Sequence, residues 1–135
     1  MRPILIVEDD TALARQVSGL LERYRYACRV AESFDDIDAQ ARTIDPALLL
    51  DVNLPRYDGF FWCRRIRASS RVPIVMVSAR DAASDQVRGM EAGADDYVTK
   101  PFDLDVLLAK VQAQLRRNYG ELAPATSEVA SIERD

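Results

Sequence analysis

The sequence has no histidine. Histidine triads, imidazole metal ligands and phosphohistidine intermediates are therefore excluded within the chain. Cysteine is scarce: Cys28 and Cys63 stand far apart, with no CxxC pair. Two such thiols are expected as small, reduced core side chains of a cytoplasmic protein, because free cysteine is usually buried. Long apolar runs are missing too. The first run, Pro3 to Val7, meets Glu8-Asp9-Asp10 at once, too short and too soon acidic for a signal peptide or a membrane span. A cytoplasmic location with no direct membrane binding is expected. Basic clustering is also lacking. There are 22 acidic side chains against 18 basic ones, a net charge of −4, whereas a nucleic-acid footprint needs a concentrated basic surface.

What is present is an ordinary globular composition, 48% apolar and 30% charged over 135 residues, enough for one domain with a hydrophobic core. Short apolar runs (Pro3–Val7, Ala27–Ala31, Ala47–Leu50, Pro73–Val77 and Asp96–Thr99) alternate with helical spacing. Thr11 is expected to cap a first helix with Leu13, Val17, Leu20, Leu21 and Tyr24 on one face. Ser33 is expected to cap a second, reaching about Ile44. A third is expected from about Tyr57 to Ala68, and a fourth from about Ala82 to Ala92, stopped by Gly93. Asp103 is expected to cap the last, with Leu104, Leu107, Leu108, Val111 and Leu115 on one stripe. Arg116 and Arg117 fall in its final turn, where cations suit the helix dipole. This alternation predicts an α/β protein: a (βα)5, doubly wound, five-stranded parallel sheet with right-handed crossovers. The continuously apolar runs at 47–50 and 73–77 suit buried parallel strands. From Gly120 the periodicity stops. Residues 120–135 are small, polar and acidic and read as a linker or tail, so the domain is placed at 1–119.

The polar residues that follow the strands carry the functional signal. The first strand runs into Glu8-Asp9-Asp10, the third into Asp51, the fourth ends in Ser78, and the fifth is followed by Lys100-Pro101. In an open α/β sheet the ligand crevice lies outside the carboxyl ends of the strands, at the switch in strand order. For the order 2-1-3-4-5 that switch lies between strands one and three, where the first acids and Asp51 would face each other. Several carboxylates in one crevice repel unless a cation sits among them. Oxygen ligands alone point to a hard ion, Mg²⁺ or Mn²⁺. Such an ion would screen Asp51 for attack on an anionic phosphorus, with Lys100 and the Ser78 hydroxyl available to the phosphoryl oxygens. Singly, each residue has a plainer reading: helix-capping acids, a surface lysine, a turn serine. Together, at these strand ends, they make a phosphoryl site.

The same residues carry a resemblance. Ile4-Leu5-Ile6-Val7-Glu8-Asp9-Asp10, Asp51-Val52-Asn53-Leu54-Pro55 with Asp58-Gly59-Phe60, Pro73 to Arg80, and Gly93 to Phe102 resemble the receiver domain of bacterial response regulators, over residues 2 to about 118. The pattern is most similar to the OmpR/PhoB subfamily, and Asp58 to Arg64 with Phe102 to Arg117 is similar to the branch that answers cell-wall-active antimicrobial peptides. The resemblance implies a flavodoxin-like receiver fold of order 2-1-3-4-5, with Asp51 accepting a phosphoryl group from a sensor histidine kinase. It implies Mg²⁺ held by Asp9, Asp51 and the Asn53 backbone carbonyl, with Glu8 acting through a metal-bound water. Ser78 and Tyr97 take the switch hydroxyl and switch aromatic positions, and Lys100 precedes a proline that is cis in relatives. Asn53 and Arg80 take positions that tune phosphoryl lifetime. Active relatives form homodimers through the fourth helix, fifth strand and fifth helix. Asp95, Asp96, Lys110 and Arg117 could supply two sets of ion pairs there, while Gln86 and Val106 leave the third uncharged. Relatives continue into a winged-helix domain that binds promoter DNA. This chain contains none, and residues 120–135 resemble the linker toward it.

One further departure is that Pro46 to Leu50 is a residue short of the usual approach to the acceptor. Two other functions are weaker readings of the sequence. A phosphatase of the haloacid-dehalogenase type needs a second acid two residues after the nucleophile, where Asn53 stands. A flavodoxin-like cofactor domain needs a phosphate loop after the first strand, where three acids would repel phosphate. The chain is therefore expected to be a switch, catalysing only its own phosphorylation and slow dephosphorylation, rather than a free-standing enzyme.

Overall fold

Each apolar run is a strand and each helical stretch a helix in the computed structural model, which describes residues 3–44 and 47–119. The elements are β1 (Ile4–Val7), α1 (Thr11–Arg23), β2 (Cys28–Val30), α2 (Ile37–Ile44), β3 (Ala47–Leu50), α3 (Gly59–Arg67), β4 (Ile74–Ser78), α4 (Ala83–Ala92), β5 (Asp96–Thr99) and α5 (Leu104–Tyr119). The strands pair in parallel in the order β2-β1-β3-β4-β5, the expected receiver topology.

Alternate strand residues face opposite sides of a sheet, and both sides are apolar here. Leu5, Val7, Leu48, Leu50 and Met76 pack with Ile37 of α2, Phe60 and Ile66 of α3, and Ala92 of α4. Ile4, Ile6, Leu49, Val75 and Val98 pack with Val17 and Leu21 of α1 and Leu107 and Val111 of α5. With both faces covered, polar groups collect at the ends of the strands. The backbone ladder continues past those ends. The Asp51 N–H donates to the Val7 carbonyl at 3.0 Å, and the Lys100 N–H to the Ser78 carbonyl at 2.8 Å.

Three helix starts differ from the sequence reading. Thr11 is not the cap of α1; Asp10 is, with extended backbone and a carboxylate that accepts from the Ala12 and Leu13 N–H groups. The chain therefore turns into the helix one residue earlier than expected. Ser33 does not cap α2, which begins only at Ile37; its hydroxyl accepts from the Asp35 N–H in the preceding turn. Tyr57 lies outside α3, because Asp58 accepts from the Phe61 N–H and sets the start at Gly59. Gly93 ends α4 with φ of 111°, and Asp103 accepts from the Asp105 N–H at 2.8 Å at the start of α5. The Pro46 spacing and the 120–135 linker fall outside the described residues. Among those described, no helix is long and apolar enough to cross a membrane.

Candidate functional site

The Asp51 backbone bond to Val7 places its carboxylate beside the first acids, at the carboxyl edge where β1 and β3 are neighbours. Carboxylate oxygens of Glu8, Asp9 and Asp51 lie within 4.8 Å of one another. Glu8 and Asp51 are buried and Asp9 is exposed. The third acid of the run, Asp10, is spent on the helix cap. Lys100 follows β5, at the sheet edge, and its side chain reaches back across the crevice. Its ammonium donates to Glu8 Oε1 at 2.6 Å and to Asp51 Oδ2 at 3.2 Å. The Lys100–Pro101 peptide is cis, as the resemblance implied.

The charges in the crevice do not balance among the described residues: three carboxylates lie together, and one ammonium bonds two of them, Glu8 and Asp51. Burial pushes the Glu8 carboxyl above its ordinary pKa, although the bond from Lys100 pulls the other way. Burial also works against the charge of Lys100. The bond to Glu8 and the negative charge of Asp51 outweigh it and hold the lysine above its usual value, so it is cationic at neutral pH. The donor set is purely hard oxygen, with acids close enough to share one ion. These residues therefore fit Mg²⁺ or Mn²⁺ rather than a metal that prefers nitrogen or sulfur.

Around this crevice four residues meet at Arg80. The buried Ser78 hydroxyl accepts from the Arg80 N–H at 3.1 Å. The Tyr97 hydroxyl donates to the Arg80 carbonyl at 2.8 Å. The Arg80 Nε donates to Asn53 Oδ1 at 2.9 Å, and its Nη1 lies 3.8 Å from Asp85 of α4. The Asn53 N–H in turn reaches Asp51 Oδ1 at 3.4 Å. The Tyr97 ring is turned inward, and burial holds its phenol above the ordinary pKa.

Two glycines set this geometry, and sequence reasoning gave neither a role. A Cβ at Gly59 would lie 2.1 Å from the Asp51 carbonyl oxygen, so only glycine lets the start of α3 pack against the Asp51 backbone. A Cβ at Gly89 would meet the Tyr97 ring at 2.9 Å and the Met76 sulfur at 3.1 Å. The available signal for Gly89 was its place inside a helix, where glycine costs about 1 kcal/mol relative to alanine and so suggests a close approach.

The remaining candidates lie away from the crevice. Asp95, Asp96, Val106, Lys110 and Arg117 line one groove along β5 and α5. Within the chain, Asp95 accepts from Arg67 at 3.0 Å and from the Ile74 N–H at 2.8 Å, and Asp96 pairs with Lys110 at 3.2 Å. Gln86 does not line this groove; it lies on α4 and reaches the Asp81 carbonyl.

Comparison with known proteins agrees with this geometry. Residues 4–112 match the response regulator receiver domain. The chain is 46% identical over 133 residues to the uncharacterized transcriptional regulatory protein YvcP of Bacillus subtilis, spanning 98% of this chain and 56% of that protein. It is 47% identical over 117 residues to the response regulator GraR of Staphylococcus saprophyticus, spanning 86% and 52%. The chain thus covers about half the length of these relatives. Among solved structures, it is similar to the N-terminal domain of the nisin resistance regulator NsrR (TM-score 0.78, 32% identity, 86% of this chain and 99% of that one). It is also similar to the beryllofluoride-activated receiver domain of Klebsiella pneumoniae RstA (TM-score 0.81, 30% identity, 85% and 99%). From its strand-end acids to its strand order, this chain belongs to the response regulator receiver domain family.

Proposed function

We propose that Asp51 accepts a phosphoryl group from a sensor histidine kinase and that the chain uses the modification as a switch. The observation that carries this reading is the Lys100 ammonium bridging Glu8 and Asp51 in a crevice short of positive charge. One Asp51 oxygen attacks the phosphorus, the P–N bond to the donor imidazole breaks, and the imidazole leaves with a proton. Lys100 is already beside the attacking carboxylate and can follow the new phosphoryl oxygens. The Ser78 hydroxyl stands at the end of the neighbouring strand, placed to donate to another. Glu8, Asp9 and Asp51, with the Asn53 backbone carbonyl, would hold Mg²⁺ or Mn²⁺, and Glu8 would act through a metal-bound water. Such an ion supplies the positive charge that lets two anions approach. Asn53, bonded to Arg80, stands where a hydrolase would need an acid, so the aspartyl phosphate is a signal rather than a turnover intermediate.

The signal leaves the crevice through Arg80. Movement of Ser78 toward a phosphoryl oxygen disturbs its bond with the Arg80 N–H, and the Tyr97 hydroxyl holds the carbonyl of that same residue. Tyr97 belongs to β5, so the change emerges at the α4–β5–α5 face. There a homodimer would use Asp95, Asp96, Lys110 and Arg117, flanked by the uncharged Gln86 and Val106. Residues 1–119 would be the receiver and 120–135 the linker to a DNA-binding domain that controls transcription in the cytoplasm. The similarity to the nisin resistance regulator NsrR favours the branch that answers cell-wall-active peptides.

Intact-mass analysis after incubation with acetyl phosphate and Mg²⁺ tests the proposal. One phosphoryl adduct is expected on the unmutated chain. An unlabelled chain under these conditions overturns it. Light scattering with and without beryllofluoride tests the dimer separately.

A further inference from the structure

Five large apolar side chains are exposed among the described residues, and Tyr57 is the one in the loop that follows Asp51. It lies two residues before Gly59, which packs against the Asp51 carbonyl. Two residues span at most about 7 Å, so the Tyr57 backbone stays within that distance of Gly59, in the loop that leaves the carboxyl end of β3 where Asp51 stands. The phosphoryl chemistry makes no use of it.

The loop holds this side chain in a defined place. Arg56, just before it, has φ of 72°, a left-handed conformation uncommon for a residue other than glycine. Its guanidinium pairs with Asp35 at 3.3 Å. The Tyr57 ring stacks on Phe61 with centroids 4.3 Å apart and planes 18° from parallel. Both rings meet Trp62 edge-on, at 5.7 and 4.9 Å. Trp62 itself is buried, so the stack is built on the core and not on another mobile side chain. Tyr57 is nevertheless 45% exposed. A large aromatic surface already fixed by stacking loses little freedom when a partner covers it, which is why such residues serve as anchors in protein interfaces.

The position identifies the partner. Asp51 is only 4% exposed, and the chain has no histidine of its own. A histidine-borne phosphoryl group reaches this carboxylate only if another protein closes over the loops at this end of the sheet, the one between β3 and α3 among them. We infer that Tyr57, stacked on Phe61, is a docking anchor for the histidine-bearing surface of the phosphodonor kinase. It acts on the rate and choice of phosphotransfer and leaves the chemistry to the crevice. The inference rests on Asp51 being the acceptor.

Two phosphodonors separate docking from chemistry. Cytoplasmic portions of the histidine kinases encoded in the same genome are autophosphorylated with ATP, and the fastest donor to the full chain is kept. Phosphoramidate with Mg²⁺ is the small donor. Tyr57→Ala should slow transfer from the kinase roughly tenfold, with phosphoramidate labelling unchanged. Tyr57→Phe, which keeps the stack, should behave as the unmutated chain with both donors. Equal kinase rates for Tyr57→Ala and the unmutated chain overturn the inference. Equal slowing with both donors also overturns it, because Tyr57 would then be shaping the acceptor rather than docking. Failure of phosphoramidate to label the unmutated chain is a separate result that removes the Asp51 reading and this inference together.

Discussion

Asp38 and Asp51 are both buried carboxylates with cationic neighbours, yet their surroundings are opposite. Asp38, on α2, accepts from Arg65 of α3 at 2.7 Å, from Arg42 at 3.4 Å and from the Ala39 N–H at 2.9 Å. Burial opposes its charge, but these partners outweigh burial and hold the carboxyl below its usual pKa range. One acid has two arginines, and the network joins two helices. At the strand ends the ratio is reversed: Glu8, Asp9 and Asp51 lie together, and Lys100 bonds Glu8 and Asp51. A crowded set of acids short of cations costs stability. The saturated cluster ties two helices together, whereas the unsaturated one is a set of acids that could hold a metal ion.

Substitutions should separate the two clusters, and the largest effect is expected on labelling. Asp51→Asn should give no phosphoryl adduct by intact mass with either acetyl phosphate or a kinase, while Asp38→Ala should label at the unmutated rate. Chelation of divalent ions should come next, slowing labelling by at least about 100-fold, with recovery on adding Mg²⁺ or Mn²⁺. Chelator-resistant labelling would mean that the three acids do not need a cation.

Stability measurements sharpen the contrast further. Gly59→Ala should lower unfolding free energy in urea by about 1–3 kcal/mol, because its Cβ has no space beside the Asp51 carbonyl. Asp38→Ala should cost about 1 kcal/mol, a modest figure because both arginines are largely exposed to solvent. Smallest is Asp51→Asn in metal-free buffer, which should change stability by less than about 0.5 kcal/mol, because relief of repulsion with Glu8 offsets the weakened bond to Lys100. A near-zero change at Asp51 against a loss at Asp38 is expected to distinguish the two clusters. A loss for Asp51→Asn matching that of Asp38→Ala would make the strand-end cluster structural as well.

Much of the crevice is legible in the sequence. Glu8, Asp9, Asp51, Ser78 and Lys100 each follow an apolar run, and parallel strands bring such positions to one edge by topology alone. The helix starts were harder to read. Asp10 and Thr11 are both competent caps, and only the path of the chain selects the carboxylate that reaches two N–H groups. The meeting at Arg80 was not legible, since Asn53, Ser78 and Tyr97 come from three separate strands or loops.

By itself the sequence determined the parallel α/β architecture and which polar residues stand at the strand ends. Both depend on periodicity and on which residue follows each strand, which are local properties. The tertiary structure decided which acid caps a helix, why Gly59 and Gly89 must lack side chains, and where Tyr57 stands. Those depend on distances between segments far apart in the chain. A carboxylate, a ring and a missing Cβ acquire their meaning only when the fold sets what lies within a few ångströms.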